Sequence, residues 1–288
     1  MVLFCFAKDL EAELRVAVSI DLSFPMKSAK RIFFSNHKII LFVVLMFFGF
    51  IIPCMRKETI EISSSMADPY IELGVPSFFR AFQDIALRNA EEIGLGVEET
   101  NLKGRLWVFT RTYVEFYRMP KFQEKVELST WPGQRKVFFF PRFAQMDDLD
   151  GKPLAKLSSV WVLMDASTRR AIMRPDLESP SEEFKGQLEL PGKVVQKETS
   201  YAFRRTIQFS DLDLNGHLNN VRYIELIMNL HDKAFFAVNR VKSILLNYES
   251  EIAEGEELML YASADGTYVR GIVSDRLCFE ANLEYCPK

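Results

Sequence analysis

The stretch PSFFRAFQDIALRNAEEI, residues 76–93, has the hydrophobic spacing of a single amphipathic helix. Its apolar side chains fall near one helical face, and they are Phe78, Phe82, Ile85, Ala86 and Ile93. Pro76 suits the first turn of a helix, and Gly94 suits the position at which a helix stops. The pattern therefore predicts a helix over residues 76–93 that is covered on one side by a core.

Four extended segments follow this helix in the sequence. They lie near residues 105–117, 124–131, 135–147 and 153–165, and turn-forming residues separate them. In the last segment both alternating faces are rather apolar, which is typical of a strand covered on each side. A polar stretch rich in Pro, Glu, Ser and Lys then runs to about residue 199, and its composition indicates a linker.

Beyond the linker the same order of elements begins again. The sequence predicts a strand at 204–209, a polar loop, a helix at about 219–236, and strands near 241–248, 256–263, 267–273 and 277–285. A sheet that wraps around one long helix is the hotdog arrangement. We therefore expect an α+β fold of two tandem hotdog domains that form a pseudo-dimer. The two copies lack strong sequence identity, so this repeat is inferred from the order of elements.

The predicted limits are a leader over 1–54, an N-terminal hotdog domain over 55–165, a linker over 166–199 and a C-terminal hotdog domain over 200–288. The leader ends in an uncharged apolar run, residues 39–55, that follows several lysines and one arginine. This order is typical of a membrane anchor or a secretory leader.

Two other interpretations of the leader remain open. A lipoprotein site at Cys54 fits less well, because Pro53 stands where a small residue is expected. Alternatively, Met55 is the physiological start and the upstream residues are an extension of the gene model. We favour this last interpretation slightly, because MRKETIEI leads directly into the first predicted strand.

Composition excludes several classes of function. A net charge of −3 gives no broad basic field, so nucleic acid is not an expected partner. The four cysteines form no CxxC pair and have no histidine at metal-ligand spacing, so we expect reduced thiols and no metal site. The sequence has three histidines that could supply an imidazole, His37, His217 and His231. We expect His231, late in the second helix, to be structural or exposed.

The loop that enters the second helix is dense in functional groups. Residues 210–223 read SDLDLNGHLNNVRY, with a carboxylate, an amide and an imidazole at alternate positions, Asp213, Asn215 and His217. An extended loop would turn these three side chains to one side. The first turn of the following helix offers backbone N–H groups for an oxyanion, and a histidine exchanges protons near neutral pH. Each residue alone is common in turns and caps, but the joint pattern indicates a site.

The run DLDLNGHLNNVRYIE, residues 211–225, resembles the D-x-N-x-H signature of acyl-ACP thioesterases. Further matches in the same order are PSFFRAFQD, LWVFTR, RMPKFQEKVELSTWP, and SSVWVLMD followed by TRR. The resemblance covers nearly all of residues 56–288 and leaves the leader unmatched. It implies a thioester hydrolase that releases free fatty acids from acyl-ACP in fatty acid biosynthesis, with no metal or organic cofactor.

The resemblance also implies roles for individual residues. Asp213, Asn215 and His217 act with a glutamate on the strand after the helix, and Glu251 stands at the matching position. Some plant members carry a cysteine directly after this glutamate, whereas this chain has Ile252. We therefore expect Glu251 with His217 to activate water and Asn215 to position the thioester. Asp213 is expected to fix the geometry of Asn215 or His217.

The first copy has no N-x-H element, so one active site per chain is expected. We predict that the first domain holds the acyl chain. The candidate substrate-binding residues are Phe78, Phe82, Trp107, Phe109, Asn219 and Asn220, although an ordinary core position is the more common role for any single one of the aromatic residues. The expected partner is acyl carrier protein with its phosphopantetheine-linked acyl chain. A homodimer and membrane association through residues 39–55 are further expectations.

Rival functions remain open at this point. An acyl-CoA thioesterase would use the same fold and the same base, and a hotdog dehydratase fits the D-x-N-x-H run less well. A non-catalytic acyl-binding protein or a membrane-tethered scaffold belongs to a different class, and the retained polar set argues against it. The expected location is the cytoplasm, the plastid stroma for a plant protein, or a membrane if the leader acts as an anchor.

Overall fold

A computed structural model describes residues 54–177 and 187–288 of the chain. The described residues belong to one compact unit. Most of the apolar run at residues 39–55 lies outside them, and so does the membrane association predicted from it. Within 54–177 and 187–288, no helix combines the length and the apolar character that crossing a bilayer requires.

The first half of the described chain contains two helices and six strands. In chain order they are β1 (Arg56–Glu61), α1 (Val75–Glu92), α2 (Val97–Leu102), β2 (Arg105–Phe116), β3 (Lys125–Pro132), β4 (Phe139–Asp148), β5 (Pro153–Asp165) and β6 (Arg170–Ala171). The second half follows with β7 (Ser200–Thr206), a short 3₁₀ helix (Phe209–Asp211), α3 (Asn220–Met228), α4 (Lys233–Val238), β8 (Asn239–Tyr248), β9 (Glu257–Ala262), β10 (Tyr268–Val273) and β11 (Arg276–Pro287).

The strands form one antiparallel sheet of mirrored halves. The order along the sheet is β1-β3-β4-β5-β2-β8-β11-β10-β9-β7, with β6 paired to β5. Reading each half from its outer edge gives the same plan, because β7, β9, β10, β11 and β8 repeat β1, β3, β4, β5 and β2. The halves join where β2 pairs with β8, from Arg111 opposite Asn247 to Glu115 opposite Ser243. This symmetry confirms the predicted α+β fold of two tandem hotdog domains.

Helix α1 agrees with the pattern that predicted it. Pro76 lies in the first turn, where its missing N–H leaves no helical hydrogen bond unmade. The helix stops before Gly94, which has φ +73° and whose N–H donates to the Glu91 carbonyl. Phe78 and Phe82 are fully buried between α1 and the sheet, and α1 also contacts α3 of the second half.

The second helix differs from its prediction. Residues 219–236 were expected to form one helix, but the structure has α3 and α4 separated by a break. Asn229 ends α3, and the Asp232 carboxylate accepts the Phe235 N–H (2.9 Å) to start α4. Because a short polar side chain at an N-cap stabilises the start of a helix, Asp232 begins a new helix and the segment divides after Asn229. His231 lies in the break, stacked on Phe235 with ring centroids 3.8 Å apart, rather than late in one helix.

The strand predicted at 135–147 also begins later, at Phe139. Backbone hydrogen bonds between Lys136 and Phe139 close a tight turn there, with Val137 at φ +58°. The first strand of the second half differs in the other direction, because it was predicted at 204–209 and lies at Ser200–Thr206.

The described ends of the predicted linker pack along the sheet. The Ser158 hydroxyl donates to the Glu189 carbonyl (2.7 Å), and the Asn282 side chain exchanges two hydrogen bonds with the Val195 backbone. The domain limits 55–165, 166–199 and 200–288 stay a prediction.

Candidate active site

The loop that carries the D-x-N-x-H run folds as a tight hairpin. Leu212 and Leu218 form an isolated β-bridge, and the Asp213 N–H donates to the His217 carbonyl (2.8 Å). Asn215 is exposed at the tip, and Gly216 has φ +76°, a conformation that favours glycine. The loop is therefore a tight hairpin rather than the extended segment that was expected, and the turn places Asp213 and His217 opposite each other at its neck.

The Asp213 carboxylate holds this hairpin closed. Its Oδ1 accepts the N–H of Asn215 (2.8 Å) and the N–H of His217 (3.3 Å). These are bonds to the backbone of the loop itself, which is the common way that aspartate stabilises a turn. Asp213 therefore fixes the backbone positions from which the other two side chains project.

His217 in the hairpin faces Glu251 in a neighbouring loop. The imidazole Nε2 lies 3.5 Å from Glu251 Oε2. Glu251 belongs to the loop between β8 and β9 rather than to the strand on which it was expected. Backbone pairing holds the loops together, since the Leu218 N–H donates to the Ile252 carbonyl (2.8 Å). Ile252 is fully buried and thus serves the core.

The surroundings favour a neutral imidazole. Partial burial lowers the pKa of His217 below its ordinary value of 6.5, and the positive charge of Arg169 lowers it further. Asp213 and Glu256 act in the opposite direction but do not reverse the shift. A neutral histidine beside a carboxylate can accept a proton at neutral pH, as a general base must.

Sequence reasoning missed the cations around Glu251. The Arg169 guanidinium, from the first half of the chain, donates to the Glu251 carboxylate. Arg276 donates to the Glu251 carbonyl and also to Glu256 Oε1 (2.7 Å). The TRR run after SSVWVLMD was noted as a match, but nothing in the sequence indicated that residues 82 positions apart would pair.

The helix N-terminus offers fewer amides than expected. The Asn219 side chain caps α3 by accepting the Val221 N–H (2.9 Å), and the Asn219 carbonyl accepts the Arg222 N–H (2.8 Å). Two of the first-turn N–H groups expected to hold an oxyanion are therefore already bonded.

A cavity of about 460 Å³ opens beside the hairpin. It lies between α1, α2 and the strands of the first half, and its walls include Leu87, Leu106 and Phe140. The second half contributes residues 212–215 together with Asn219 and Asn220. The cavity therefore connects the candidate active-site loop with an apolar space in the other half. Asp213 and Asn215 line it, whereas His217 and Glu251 do not.

The predicted substrate-binding residues divide among three places. Trp107, Asn219 and Asn220 line the large cavity. Phe82 and Phe109 line a second space of about 10 Å³, which also touches Asn220. Phe78 lines neither cavity, because it packs edge-on against Phe79 and Phe116 in the core.

A buried arginine in the wall of the large cavity was not predicted. Arg142 on β4 donates to Asn89 Oδ1 of α1 (2.7 Å) and to Thr130 Oγ1 (3.3 Å). Burial lowers its pKa to about 10. No sequence signal distinguished this arginine from the surface ones, since it stands in an ordinary strand pattern.

Two family models match the chain in sequence. The acyl-ACP thioesterase N-terminal domain matches residues 54–178, and the acyl-ACP thioesterase C-terminal domain matches residues 194–275. The chain belongs to the acyl-ACP thioesterase family. This membership confirms the resemblance seen in the D-x-N-x-H run and its flanking motifs.

Plant enzymes are among the curated relatives of this family member. A chloroplastic palmitoyl-acyl carrier protein thioesterase of Arabidopsis thaliana is 28% identical over 207 residues, which cover 64% of this chain and 49% of that protein. A chloroplastic dodecanoyl-[acyl-carrier-protein] hydrolase of Cinnamomum camphora is 24% identical over 249 residues, which cover 77% of this chain and 63% of that protein. The chain thus spans less than two thirds of the length of these relatives.

Solved structures of family members share the fold. An acyl-ACP thioesterase from Bacteroides thetaiotaomicron VPI-5482 superposes with a TM-score of 0.74 at 22% identity, covering 81% of this chain and 98% of that one. A 12:0-ACP thioesterase from Umbellularia californica gives 0.68 at 22% identity, covering 82% and 98%. At this level of identity the likeness establishes the hotdog fold.

Proposed function

We propose that this chain hydrolyses acyl-ACP thioesters and releases free fatty acids. The observation that carries the proposal is the His217–Glu251 pair, 3.5 Å apart, on a hairpin whose Asp213 and Asn215 line an apolar cavity. A thioester hydrolase needs a base for water, a polar group for the carbonyl and an apolar space for the acyl chain. The family membership supports the same reaction class.

The proposed reaction uses the side chains in sequence. Asn215 positions the thioester carbonyl from the cavity wall. His217, oriented by Glu251, removes a proton from water, and the water oxygen bonds to the carbonyl carbon while the carbonyl electrons move to oxygen. When the carbonyl re-forms, the C–S bond breaks and the sulfur takes the proton from His217. The products are a carboxylic acid and a free thiol.

The acyl chain is proposed to lie in the large cavity of the first half. Its walls are mainly apolar. Trp107 lies in the wall and packs edge-on against Phe140, with ring centroids 4.9 Å apart. Burying a hydrocarbon chain in such a space is favourable by about 25 cal/mol per Å² of apolar surface removed from water. Phe82 and Phe109, beside the smaller space, would form an extension if their rings moved apart.

Acyl carrier protein is the proposed source of the substrate, and its phosphopantetheine arm would carry the acyl group. The names of the plant relatives specify this carrier for those proteins. We propose action in the cytoplasm, or in the plastid stroma if the protein comes from a plant. Membrane association through residues 39–55 and a homodimer stay predictions.

The test compares two carriers with one acyl group. Purified protein is assayed on acyl-ACP and acyl-CoA of the same chain length, and we expect the higher kcat/KM on acyl-ACP. Faster turnover of the CoA ester would instead make the chain an acyl-CoA thioesterase. Hydrolysis of neither ester would favour a non-catalytic acyl-binding protein.

A matched pair of variants tests the site assignment in the same assay. Glu251→Ala is expected to lower kcat by about 100-fold or more, because it removes the partner of the base. Glu249→Ala, an exposed glutamate two residues earlier, serves as the control and should retain activity. Equal activity of the two variants would contradict the role given to Glu251.

A further inference from the structure

Arg169 connects the first half of the chain to the candidate catalytic pair of the second half. We propose that it is a positioning residue, which holds Glu251 against His217. The inference rests on the proposed hydrolase function and extends it, because it makes the active site a composite of both halves. Nothing in the family motif D-x-N-x-H points to this residue.

The turn after β5 holds Arg169 in place. The Asp165 Oδ1 accepts the N–H groups of Ser167 (3.1 Å) and Thr168 (2.7 Å) and both of their hydroxyls (2.7 and 2.9 Å). The Arg169 N–H donates to the Asp165 carbonyl (2.9 Å), and Arg169 itself has φ +55°. A non-glycine residue in this conformation persists only where its surroundings fix it, so the backbone at Arg169 is tightly defined.

From this turn the guanidinium reaches the Glu251 carboxylate. The same carboxylate oxygen, Oε2, also lies 3.5 Å from His217 Nε2, so Arg169 and His217 meet on one atom. Arg276 fixes the other end of the residue by donating to the Glu251 carbonyl. Glu251 is therefore held at both its backbone and its side chain, which defines the position that it offers to the imidazole.

Several charges face the imidazole, and Arg169 is the one supplied by the first half. From the hairpin comes Asp213, and from the β8–β9 loop come Glu251 and Glu256, whose carboxylate also binds the Ala253 N–H (2.7 Å). The three carboxylates favour protonation, and the positive charge of Arg169 opposes it. Arg276 stays paired with Glu256 (2.7 Å), so loss of Arg169 removes the positive charge that lowers the pKa of His217, and that pKa should rise.

The pseudo-symmetry of the fold gives a partial parallel to the Arg169–Glu251 contact. The first half has an equivalent loop before α1, residues 66–74, and the ammonium of Lys288 lies 3.3 Å from its Glu72 carboxylate. Lys288 follows β11, which is the counterpart of β5. In each case a cation that follows this strand contacts an acidic side chain of the other half, but Glu72 lies within its loop, whereas Glu251 lies in the segment that packs against the loop before α3. In the second half that acidic partner is Glu251, which faces His217.

The alternative is that Arg169 forms an ordinary surface ion pair. Its side chain is 39% exposed and that of Glu251 is 37% exposed, and such pairs contribute about 0–1 kcal/mol to stability. A purely structural role would thus leave kcat and the pH profile unchanged when Arg169 is removed. Activity measurements separate the two roles more clearly than stability measurements do.

The test uses Arg169→Ala, Arg169→Lys and the control Arg170→Ala, which removes the exposed neighbour of the same charge. For Arg169→Ala on acyl-ACP we expect kcat to fall roughly 10- to 100-fold, because the pair is misplaced, with KM nearly unchanged. The acidic limb of the pH–rate profile should move to higher pH. Arg169→Lys should restore part of the loss, and Arg170→Ala should match the original protein. An unchanged kcat and profile in Arg169→Ala would overturn the proposal.

A double variant and a titration complete the test. In a Glu251→Gln background, at a pH above the acidic limb, Arg169→Ala should cost little further activity, since its positioning effect passes through Glu251; a full additional loss would contradict this route. NMR titration of His217, assigned with His217→Asn, needs no substrate and should show a higher pKa in Arg169→Ala. If neither acyl-ACP nor acyl-CoA is hydrolysed, the proposed function fails, and an unmoved titration separately refutes the link between Arg169 and His217.

Discussion

The two loops that precede α1 and α3 have the same backbone but different side chains. In the first-half loop the Asp68 N–H donates to the Glu72 carbonyl (2.7 Å), as the Asp213 N–H donates to the His217 carbonyl (2.8 Å). Asp68 Oδ1 accepts the N–H groups two and four residues further on, at 2.8 and 3.2 Å. Asp213 Oδ1 accepts the equivalent pair at 2.8 and 3.3 Å.

The equivalence extends to the segment against which each loop packs. The Leu73 N–H donates to the Pro120 carbonyl, and the Leu218 N–H donates to the Ile252 carbonyl, both at 2.8 Å. Superposing these contacts places Met119 at the position of Glu251. The first-half loop thus keeps the aspartate and loses the amide, the imidazole and the glutamate.

This difference separates scaffold from chemistry. An aspartate present in both loops performs the same structural task in each, so Asp213 is explained first by the shape of the hairpin. The groups without a counterpart in the first half are Asn215 and His217 in the second loop and Glu251 in the segment packed against it, and these are the residues to which the reaction is assigned. The two loops therefore act as an internal control for each other.

Removal of the shared aspartate should give the largest contrast. Asp213→Ala is expected to lower kcat/KM by about 100-fold or more, because Asn215 and His217 lose the backbone that aims them. Asp68→Ala should leave kcat/KM unchanged, while each variant lowers the free energy of unfolding by about 1 kcal/mol. Steady-state kinetics and chemical denaturation measure both quantities. A comparable loss of activity in Asp68→Ala would break the comparison.

The pH profile tests the electrostatics of the second loop. His217 must be neutral to accept a proton, and its pKa lies below the ordinary value of 6.5, so activity should persist below pH 6.5 and fall only at more acidic pH. Because of the same shift, the folded state binds fewer protons than the unfolded state as the pH falls. His217 therefore leaves the free energy of unfolding undiminished above pH 6.5 and lowers it progressively at more acidic pH. A kinetic limb at or above pH 6.5 would contradict the neutral imidazole.

A smaller effect should come from the left-handed position of each loop. Gly216 occupies it in the second loop with φ +76°, whereas Ile71 occupies it in the first with φ +62°. Because a β-branched residue is strained there, Ile71→Gly should raise the free energy of unfolding by about 1 kcal/mol, and Gly216→Ile should lower it by a similar amount. Thermal unfolding of both variants checks this. Destabilisation by Ile71→Gly would show that the first loop is not strained.

The sequence predicted the parts of the fold that local patterns encode. Helix α1 was predicted because Pro76, Gly94 and the buried phenylalanines all point to one helix. The break between α3 and α4 was missed because Asp232 lies within a continuing apolar pattern, and its capping hydrogen bond is made to a backbone N–H group. The mirrored sheet followed from the order of elements.

For the candidate site, the sequence indicated the residues but not their arrangement. Asp213, Asn215 and His217 lie together in the chain, so their density was visible. The hairpin was missed because the hydrogen bonds of Asp213 are made to backbone groups, which no pattern of side chains displays. Arg169 and Arg142 were missed because their contacts depend on how the two halves, or a helix and a strand, come together.

The central claim is that the second loop carries the reaction and the first does not. Its most direct test measures kcat for acyl-ACP hydrolysis in His217→Ala and in Glu72→Ala, which alter the same position of the two loops. The account predicts a loss of about 100-fold or more for His217→Ala and an unchanged kcat for Glu72→Ala. Full activity in His217→Ala, or an equal loss in both variants, would contradict it.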